Sequence, residues 1–102
     1  MRSTRVLVGR MQVGDDHVAA DDVSYADVFV VVRDGESAPG PNDWEVTLQT
    51  SSDHRLAPGE HELRLDALDG SRLEGRALLR FSDGIRHLFR GDGHLAGFPS
   101  TP

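Results

Sequence analysis

The chain has 102 residues, enough for one domain with one core, and its 11 basic and 17 acidic residues give a net charge of −6. A charge of this sign opposes generic attraction to nucleic acid and to anionic membranes. The chain contains no cysteine, which excludes disulfides, thiolate catalysis and cysteine-based zinc sites. We expect a single domain over residues 1–102 that lies in the cytoplasm, because the sequence shows no apolar leader and no segment of membrane-spanning length.

The first 27 residues predict two strands and a polar connection. Residues 5–13 place apolar side chains on one face, which indicates a first strand. A turn at residues 14–16 leads to a short return strand over residues 17–20. Residues 21–27 are rich in aspartate and fit a single helical turn, and no other segment shows a sustained helical period.

The middle of the chain predicts two further strands on either side of a polar loop. Residues 28–32 are apolar at every position, which is typical of a strand that is buried on both faces or whose second face meets another chain. Residues 34–43 include two glycines and two prolines and predict a loop. Residues 44–50 then alternate cleanly as a strand, and residues 51–59 form a connection.

The stretch over residues 60–98 predicts four antiparallel strands joined by three tight turns. Each turn contains Asp-Gly, a strong hairpin signal, because glycine adopts positive φ without a steric clash. The three turns are Leu68-Asp69-Gly70, Ser82-Asp83-Gly84 and Gly91-Asp92-Gly93. The whole chain is thus predicted to be all-β, with seven or eight mostly antiparallel strands, a C-terminal four-stranded meander, and a barrel favoured over a two-sheet sandwich.

The charge pattern fixes the register of the first hairpin. A three-residue loop over residues 68–70 places Leu65 opposite Leu73 on the apolar face. On the polar face the same loop makes three opposite-charge pairs, which stabilise a sheet: Asp66–Arg72, Arg64–Glu74 and Glu62–Arg76. A two-residue loop would instead place Leu65 opposite Glu74, which a half-buried sheet does not tolerate.

A loop of the same length in the second hairpin predicts one apolar face and one arginine-bearing face. The apolar face pairs Phe81 with Ile85, Leu79 with His87 and Ala77 with Phe89. The outer face pairs Arg80 with Arg86, Leu78 with Leu88 and Arg76 with Arg90, so that two pairs of like charges repel. The third turn places Phe89 opposite Leu95 in a fourth strand.

We name the outer side of this predicted hairpin the arginine–leucine face. Its members are Arg76, Leu78, Arg80, Arg86, Leu88 and Arg90. Exposed leucines ringed by arginines are typical of a surface that meets an acidic protein or a second copy of the chain. We predict a non-catalytic protein-interaction or self-association module that uses this face as its partner-binding site. A solvated strand face without a partner is the alternative.

Two other functions stay open. A small-ligand barrel would use Trp44, Phe81, His87 and Phe89 around an apolar interior pocket, and it could be an enzyme. An anion or single-stranded nucleic-acid binder would use the same arginines, but that face lacks the interleaved exposed aromatic residues on which bases stack. The expected partner is therefore a protein or a further copy of the chain, with a small molecule as the alternative and no membrane.

The sequence assigns no catalytic residue, no cofactor and no metal ligand. The five histidines show none of the spacings of helical metal sites, and no calcium loop of the form Asp-x-Asp-x-Asp-Gly is present. No Gly-x-Ser-x-Gly elbow marks a nucleophile. We expect His61 and His87 to lie on the core face, and His54 and His94 to be solvated.

Overall fold

Seven strands make up the protein in the computed structural model, which describes residues 2–33 and 41–98. The strands are β1 (Arg2–Val13), β2 (Asp16–Val18), β3 (Val23–Val32), β4 (Asp43–Thr50), β5 (Gly59–Ala67), β6 (Arg72–Ser82) and β7 (Arg86–Gly91), with a 3₁₀ turn (Ala20–Asp22) between β2 and β3. The predicted loop over residues 34–43 falls mostly outside the described residues. Within the described ranges, no helix has the length and apolar character needed to cross a membrane.

Six of the strands close into an antiparallel barrel, which confirms the predicted all-β barrel with seven strands. The order around the barrel is β1–β3–β4–β7–β6–β5, and β5 pairs with β1 to complete the circle. β1 serves two neighbours because it is long: residues 2–7 pair with β3, and residues 8–13 pair with β5. A register shift between Val8 and Arg10 bends the strand at this point. The short β2 pairs with the end of β1 as an extra strand.

Alternate side chains from all six barrel strands fill the interior. β4 shows the pattern clearly, because Trp44, Val46 and Leu48 are buried and the residues between them are more exposed. The apolar run over residues 28–32 also has one buried face, since Val28 and Val30 lie fully in the core.

The outer face of this apolar run is only partly covered. Phe29 is half-buried there, and the guanidinium carbon of Arg5, on β1, lies 5.6 Å from the centre of its ring. A cation over an aromatic ring is attracted by the ring's negative face. A side chain of the neighbouring strand therefore covers part of the second face of β3.

The predicted register of the first hairpin is confirmed. β5 and β6 place Leu65 opposite Leu73. Gly70 has a φ of 94°, and the Ala67 N–H donates to the Ser71 carbonyl at 2.9 Å across the three-residue loop. The three predicted ion pairs form on the outer side: Arg72 to Asp66 at 3.1 Å, Arg64 to Glu74 at 3.8 Å and Arg76 to Glu62 at 3.3 Å.

The predicted register of the second hairpin is wrong. β6 and β7 pair Leu79 with Phe89 and Phe81 with Leu88, and the register shift between these pairs leaves Arg80 as a bulge. A bulged residue changes the alternation of side chains along the strand. Phe81, predicted on the core face, is therefore turned outwards and is 46% exposed.

The cause lies in the turn between the two strands. The Asp83 carboxylate accepts hydrogen bonds from the N–H groups of Ile85 and Arg86, at 2.9 and 2.7 Å, and Gly84 has a φ of 97°. This side-chain turn closes the loop around Gly84 and Ile85 instead of the predicted three residues. Ile85, also predicted on the core face, is 40% exposed at the tip.

The third Asp-Gly turn does not reverse the chain, so the predicted fourth strand is wrong. After β7 the Asp92 N–H donates to the Arg76 carbonyl at 2.8 Å, and Ala96 pairs with Glu74 further along β6. The chain thus continues along β6 in the direction of β7, and the C-terminal meander has three strands within the described residues. Leu95 is fully buried in the core.

Trp44 lies against this continuation. Its Nε1–H donates to the Gly93 carbonyl at 2.9 Å, which gives the polar atom of the buried ring a partner. A Cβ on Gly75 of β6 would come within 2.6 Å of the indole Cζ2, and a Cβ on Gly91 of β7 would overlap Cε2 and Nε1. The two glycines therefore make room for the ring.

Candidate protein-interaction surface

The structure places all six residues of the arginine–leucine face on the outer side of β6 and β7. The bulge brings Arg80 to this side next to Phe81, because two consecutive residues there oppose one residue of β7. Phe81 pairs with Leu88 and is a member of the face that the sequence prediction missed. Asp83 was the residue from which this position of Phe81 could have been predicted. Its side chain can accept a hydrogen bond from the backbone N–H two residues on, which shortens the loop and shifts the register.

The predicted repulsion between opposed arginines is wrong, because the observed register places Arg90 opposite Leu78 and leaves Arg80 in the bulge. Acids on neighbouring strands also neutralise Arg76 and Arg90. Arg76 lies 3.3 Å from Glu62 of β5. Arg90 lies 2.8 Å from Glu45 and 3.5 Å from Asp43, both on β4. Such exposed pairs contribute only about 0.2–1 kcal/mol each, but they occupy the charges of both arginines.

Arg80 and Arg86, by contrast, form no ion pair within the described part of the chain. Every other arginine whose side chain is described, apart from Arg10, has a carboxylate partner. These paired arginines are Arg5, Arg33, Arg55, Arg64, Arg72, Arg76 and Arg90. Backbone hydrogen bonds from Arg86 and Ile85 lower the pKa of Asp83, and the charge of Arg86 adds to this effect, but the Arg86 and Asp83 side chains form no ion pair. In a chain with a net charge of −6, two arginines without ion pairs on one face make a local positive site.

Apolar side chains lie beside these two arginines. Phe81 is 46% exposed, and its cross-strand neighbour Leu88 and the nearby Leu78 are half-buried. A shallow groove of about 460 Å³ is lined by Glu45, Arg80, Leu88, Phe89 and Arg90. Apolar surface next to unmatched guanidinium groups suits a partner that offers apolar side chains together with carboxylates.

The four residues predicted to line a small-ligand pocket are divided between the inside and the outside of the barrel. Trp44, His87 and Phe89 are at most 2% exposed and lie in the interior. His61 packs edge-on against Phe89, with ring centres 6.4 Å apart. The structure thus brings three of the four together in the interior, and the fourth, Phe81, belongs to the arginine–leucine face.

His87 is a buried polar ring whose hydrogen bonding is half satisfied. Its Nδ1 shares a hydrogen bond with Ser82 Oγ at 2.7 Å, and its Nε2 has no partner among the described residues. Burial, with a smaller contribution from the positive form of His54, lowers the pKa of His87 below its ordinary value. The folded protein therefore keeps His87 neutral at a pH where the unfolded chain takes up a proton.

We predict that His87 makes the free energy of unfolding fall as the pH drops below about 6.5, the ordinary histidine pKa. Below that pH the unfolded chain binds a proton that folded His87 does not, so acid favours unfolding; above it both states are neutral and His87 contributes no slope. Urea unfolding between about pH 5 and 8 measures the effect. A His87→Leu variant should show a flatter profile, and identical profiles would contradict the prediction.

A second polar cluster ties the connection after β4 to the 3₁₀ turn. Asp22 accepts hydrogen bonds from the Ser52 N–H and hydroxyl at 2.9 and 2.8 Å and contacts His54 Nε2. Hydrogen bonds from His54 and Ser52 lower the pKa of the Asp22 carboxyl. His54, predicted to be solvated, is partly buried by these contacts.

This cluster does not have the geometry of a serine hydrolase relay. In such a relay the serine and the carboxylate contact different nitrogens of the histidine ring. Here Ser52 Oγ, at 3.4 Å, and the Asp22 carboxylate both approach Nε2 of His54. The sequence did not reveal the contact, because residues 22 and 54 are brought together only by the folding of β3 and β4.

The described residues contain no group of three or more His, Asp or Glu side chains that could hold a metal ion. Comparisons of the chain with protein-family models, with curated proteins and with solved structures found no match.

Proposed function

We propose that this barrel is a non-catalytic protein-interaction module. Its arginine–leucine face binds a segment of another protein that carries carboxylates beside apolar side chains. The observation that supports this is the pairing of exposed apolar surface at Phe81 and Leu88 with Arg80 and Arg86, whose guanidinium groups form no ion pair in the described residues. A cytoplasmic location stays a prediction of the sequence.

Charge complementarity determines which partner fits. An arginine that loses water at an interface needs a carboxylate, because an unpaired buried guanidinium costs more free energy than its other contacts return. Arg80 and Arg86 can each donate hydrogen bonds to a carboxylate of the partner without breaking an existing ion pair. Arg76 and Arg90 already have acidic neighbours and are expected to form the rim of the interface.

Long-range charge makes a second copy of the chain the weaker candidate for the partner. Each copy carries a net charge of −6, so two copies repel one another as they approach. A nucleic acid meets the same repulsion. A neutral or basic protein with one acidic, apolar segment does not, and it can be attracted to the arginines over about 8–10 Å at physiological salt.

A photo-crosslinking side chain placed beside the face tests the proposal. Thr47 of β4 lies directly opposite Leu88, so benzoylphenylalanine at position 47 samples the groove and leaves the arginine–leucine face intact. In a lysate of the cells that make this protein, we expect one crosslinked segment that contains Asp or Glu next to apolar residues. The same probe at Arg64, on the outer side of β5, is the positional control.

Charge reversal then separates recognition from nonspecific adhesion. The Arg80→Glu/Arg86→Glu variant should reduce the crosslink at position 47 by about 30-fold, since hot-spot residues contribute about 2 kcal/mol or more. Arg10→Glu is the control for a single charge reversal elsewhere on the surface, because Arg10 is also exposed and has no ion pair in the described chain. A crosslink that survives in the double variant, or that falls equally in both folded variants, would overturn the proposal.

A further inference from the structure

One edge of strand β1 has no neighbouring strand over its first half. β3 pairs with residues 2–7 on one side, whereas β5 pairs with β1 on the other side only from Val8 onwards. The last bond on that side is donated by the Leu68 N–H to the Leu7 carbonyl at 3.0 Å. Within the described residues, the barrel wall is therefore open beside residues 3–6.

The direction of the Leu7 carbonyl fixes which backbone groups face this opening. In an antiparallel strand, successive residues direct their N–H and C=O groups to opposite edges, so residues two apart share an edge. The pairing of β1 with β3 runs without a register shift from Arg2 to Leu7. Arg5 and Ser3 consequently present their N–H and C=O groups to the same edge as Leu7, away from β3.

An apolar groove runs along this open edge. It has a volume of about 720 Å³, and its apolar lining comes from Val6, Leu7, Val32, Leu68, Leu73 and Phe98. Leu68 is 69% exposed and Leu7 is 47% exposed, so the groove is bordered by apolar side chains that face water. A free sheet edge beside such surface is a template for one more strand.

We propose that the free edge of β1 binds an extended peptide segment of another protein as an added antiparallel or parallel strand. The backbone of the peptide pairs with Ser3 and Arg5, and alternate side chains enter the groove towards Val6 and Phe98. The open edge of four residues, 3–6, is about 14 Å long at about 3.4 Å per residue, enough for a short peptide strand. This site is separate from the arginine–leucine face and does not depend on it.

Charge distinguishes the peptide from a second copy of the chain. The Arg5 side chain is 60% exposed in the middle of the edge, but it already pairs with Asp27 at 3.1 Å, so the peptide need not supply an acid opposite it. A second copy of the chain fits less well, because two molecules that each carry a net charge of −6 repel one another as their β1 edges approach. The occupant that fits is a peptide with alternating apolar side chains, which match the apolar lining of the groove and bring no net charge of −6 with them.

A phage-displayed library of short random peptides, selected on the folded protein, supplies the probe. We expect binders with alternating apolar residues, and the tightest is then synthesised with single N-methyl groups along its backbone. N-methylation of the residues whose N–H faces β1 should weaken binding by at least about tenfold, since each removes a hydrogen bond, and N-methylation of the residues between them should not. A peptide bound through its side chains alone would show no such alternation, and that result overturns the proposal.

Two further measurements assign the site. Binding should protect the Ser3 and Arg5 amides from hydrogen exchange in the parent protein, and Ser3→Pro should abolish binding while thermal unfolding confirms the fold. The Arg80→Glu/Arg86→Glu variant should bind these peptides unchanged, so failure at one surface is distinct from failure at the other. The proposal would be overturned if the Ser3 and Arg5 amides were already protected in the free, dilute protein, whether by residues 99–102 or by a second copy. It would also be overturned if every selected peptide bound the Ser3→Pro variant as tightly as the parent.

Discussion

Replacing Trp44 by alanine is expected to lower the free energy of unfolding by about 3–5 kcal/mol, the usual cost of truncating a large buried aromatic side chain. The indole is 1% exposed, and its Nε1–H bonds the Gly93 carbonyl. Domains of this size have a total stability of only about 5–15 kcal/mol. Urea denaturation followed by circular dichroism should therefore show a variant that is barely folded or unfolded at room temperature.

The conservative variant Trp44→Phe is the control for this prediction. It keeps most of the apolar volume but removes the hydrogen bond to Gly93 and part of the contact with Gly75, so its loss should be clearly smaller than that of Trp44→Ala. Equal stability of parent and Trp44→Ala would show that the ring does not hold the end of the barrel together.

Gly91→Ala should destabilise the fold by about 1–3 kcal/mol or more, because the added methyl group overlaps the Trp44 ring. Gly91 does not have positive φ, so the cost comes from the clash and not from backbone strain. Gly9→Ala is the matched control: the nearest atom to its Cβ is the tip of the exposed Leu68 side chain, at 2.8 Å, which can move aside. Urea unfolding of both variants measures the difference.

A double-mutant cycle locates the clash. If the overlap with the indole is the cause, Gly91→Ala should cost much less in the Trp44→Phe background, and the coupling should be about 1 kcal/mol or more. Additive effects of the two substitutions would mean that Gly91 is required for some other reason.

Local pairings were predictable wherever neighbouring residues determine them. The predicted register of the first hairpin was correct, because only that register buries the leucines together and forms all three opposite-charge pairs. The alternative register places Leu65 opposite Glu74. The predicted register of the second hairpin was wrong, although it also separates an apolar face from a polar one. There a hydrogen bond from the Ile85 N–H to the Asp83 side chain outweighs the preferred loop length.

Features that depend on distant residues were beyond the sequence pattern. The chain continues along β6 after Gly91 where Trp44, 47 positions earlier in the chain, packs against it. The neutralisation of Arg90 likewise depends on β4 lying beside β7, which supplies Glu45. Alternation along the strands predicted the six named residues of the arginine–leucine face but missed Phe81, which the bulge at Arg80 adds. The distinction between arginines with and without ion pairs required the closed barrel.

An exchange of charges tests most directly whether Arg80 and Arg86 recognise carboxylates on a partner segment. The segment crosslinked at position 47 is synthesised with its acids and, separately, with lysines in their place, and the affinity of each is measured for the parent and for Arg80→Glu/Arg86→Glu. We predict that the acidic segment binds the parent, that the double variant loses it by about 30-fold, and that the lysine segment restores binding to the double variant alone. If the lysine segment binds neither protein while both are folded, the arginines do not read the charge of the partner and the account is contradicted.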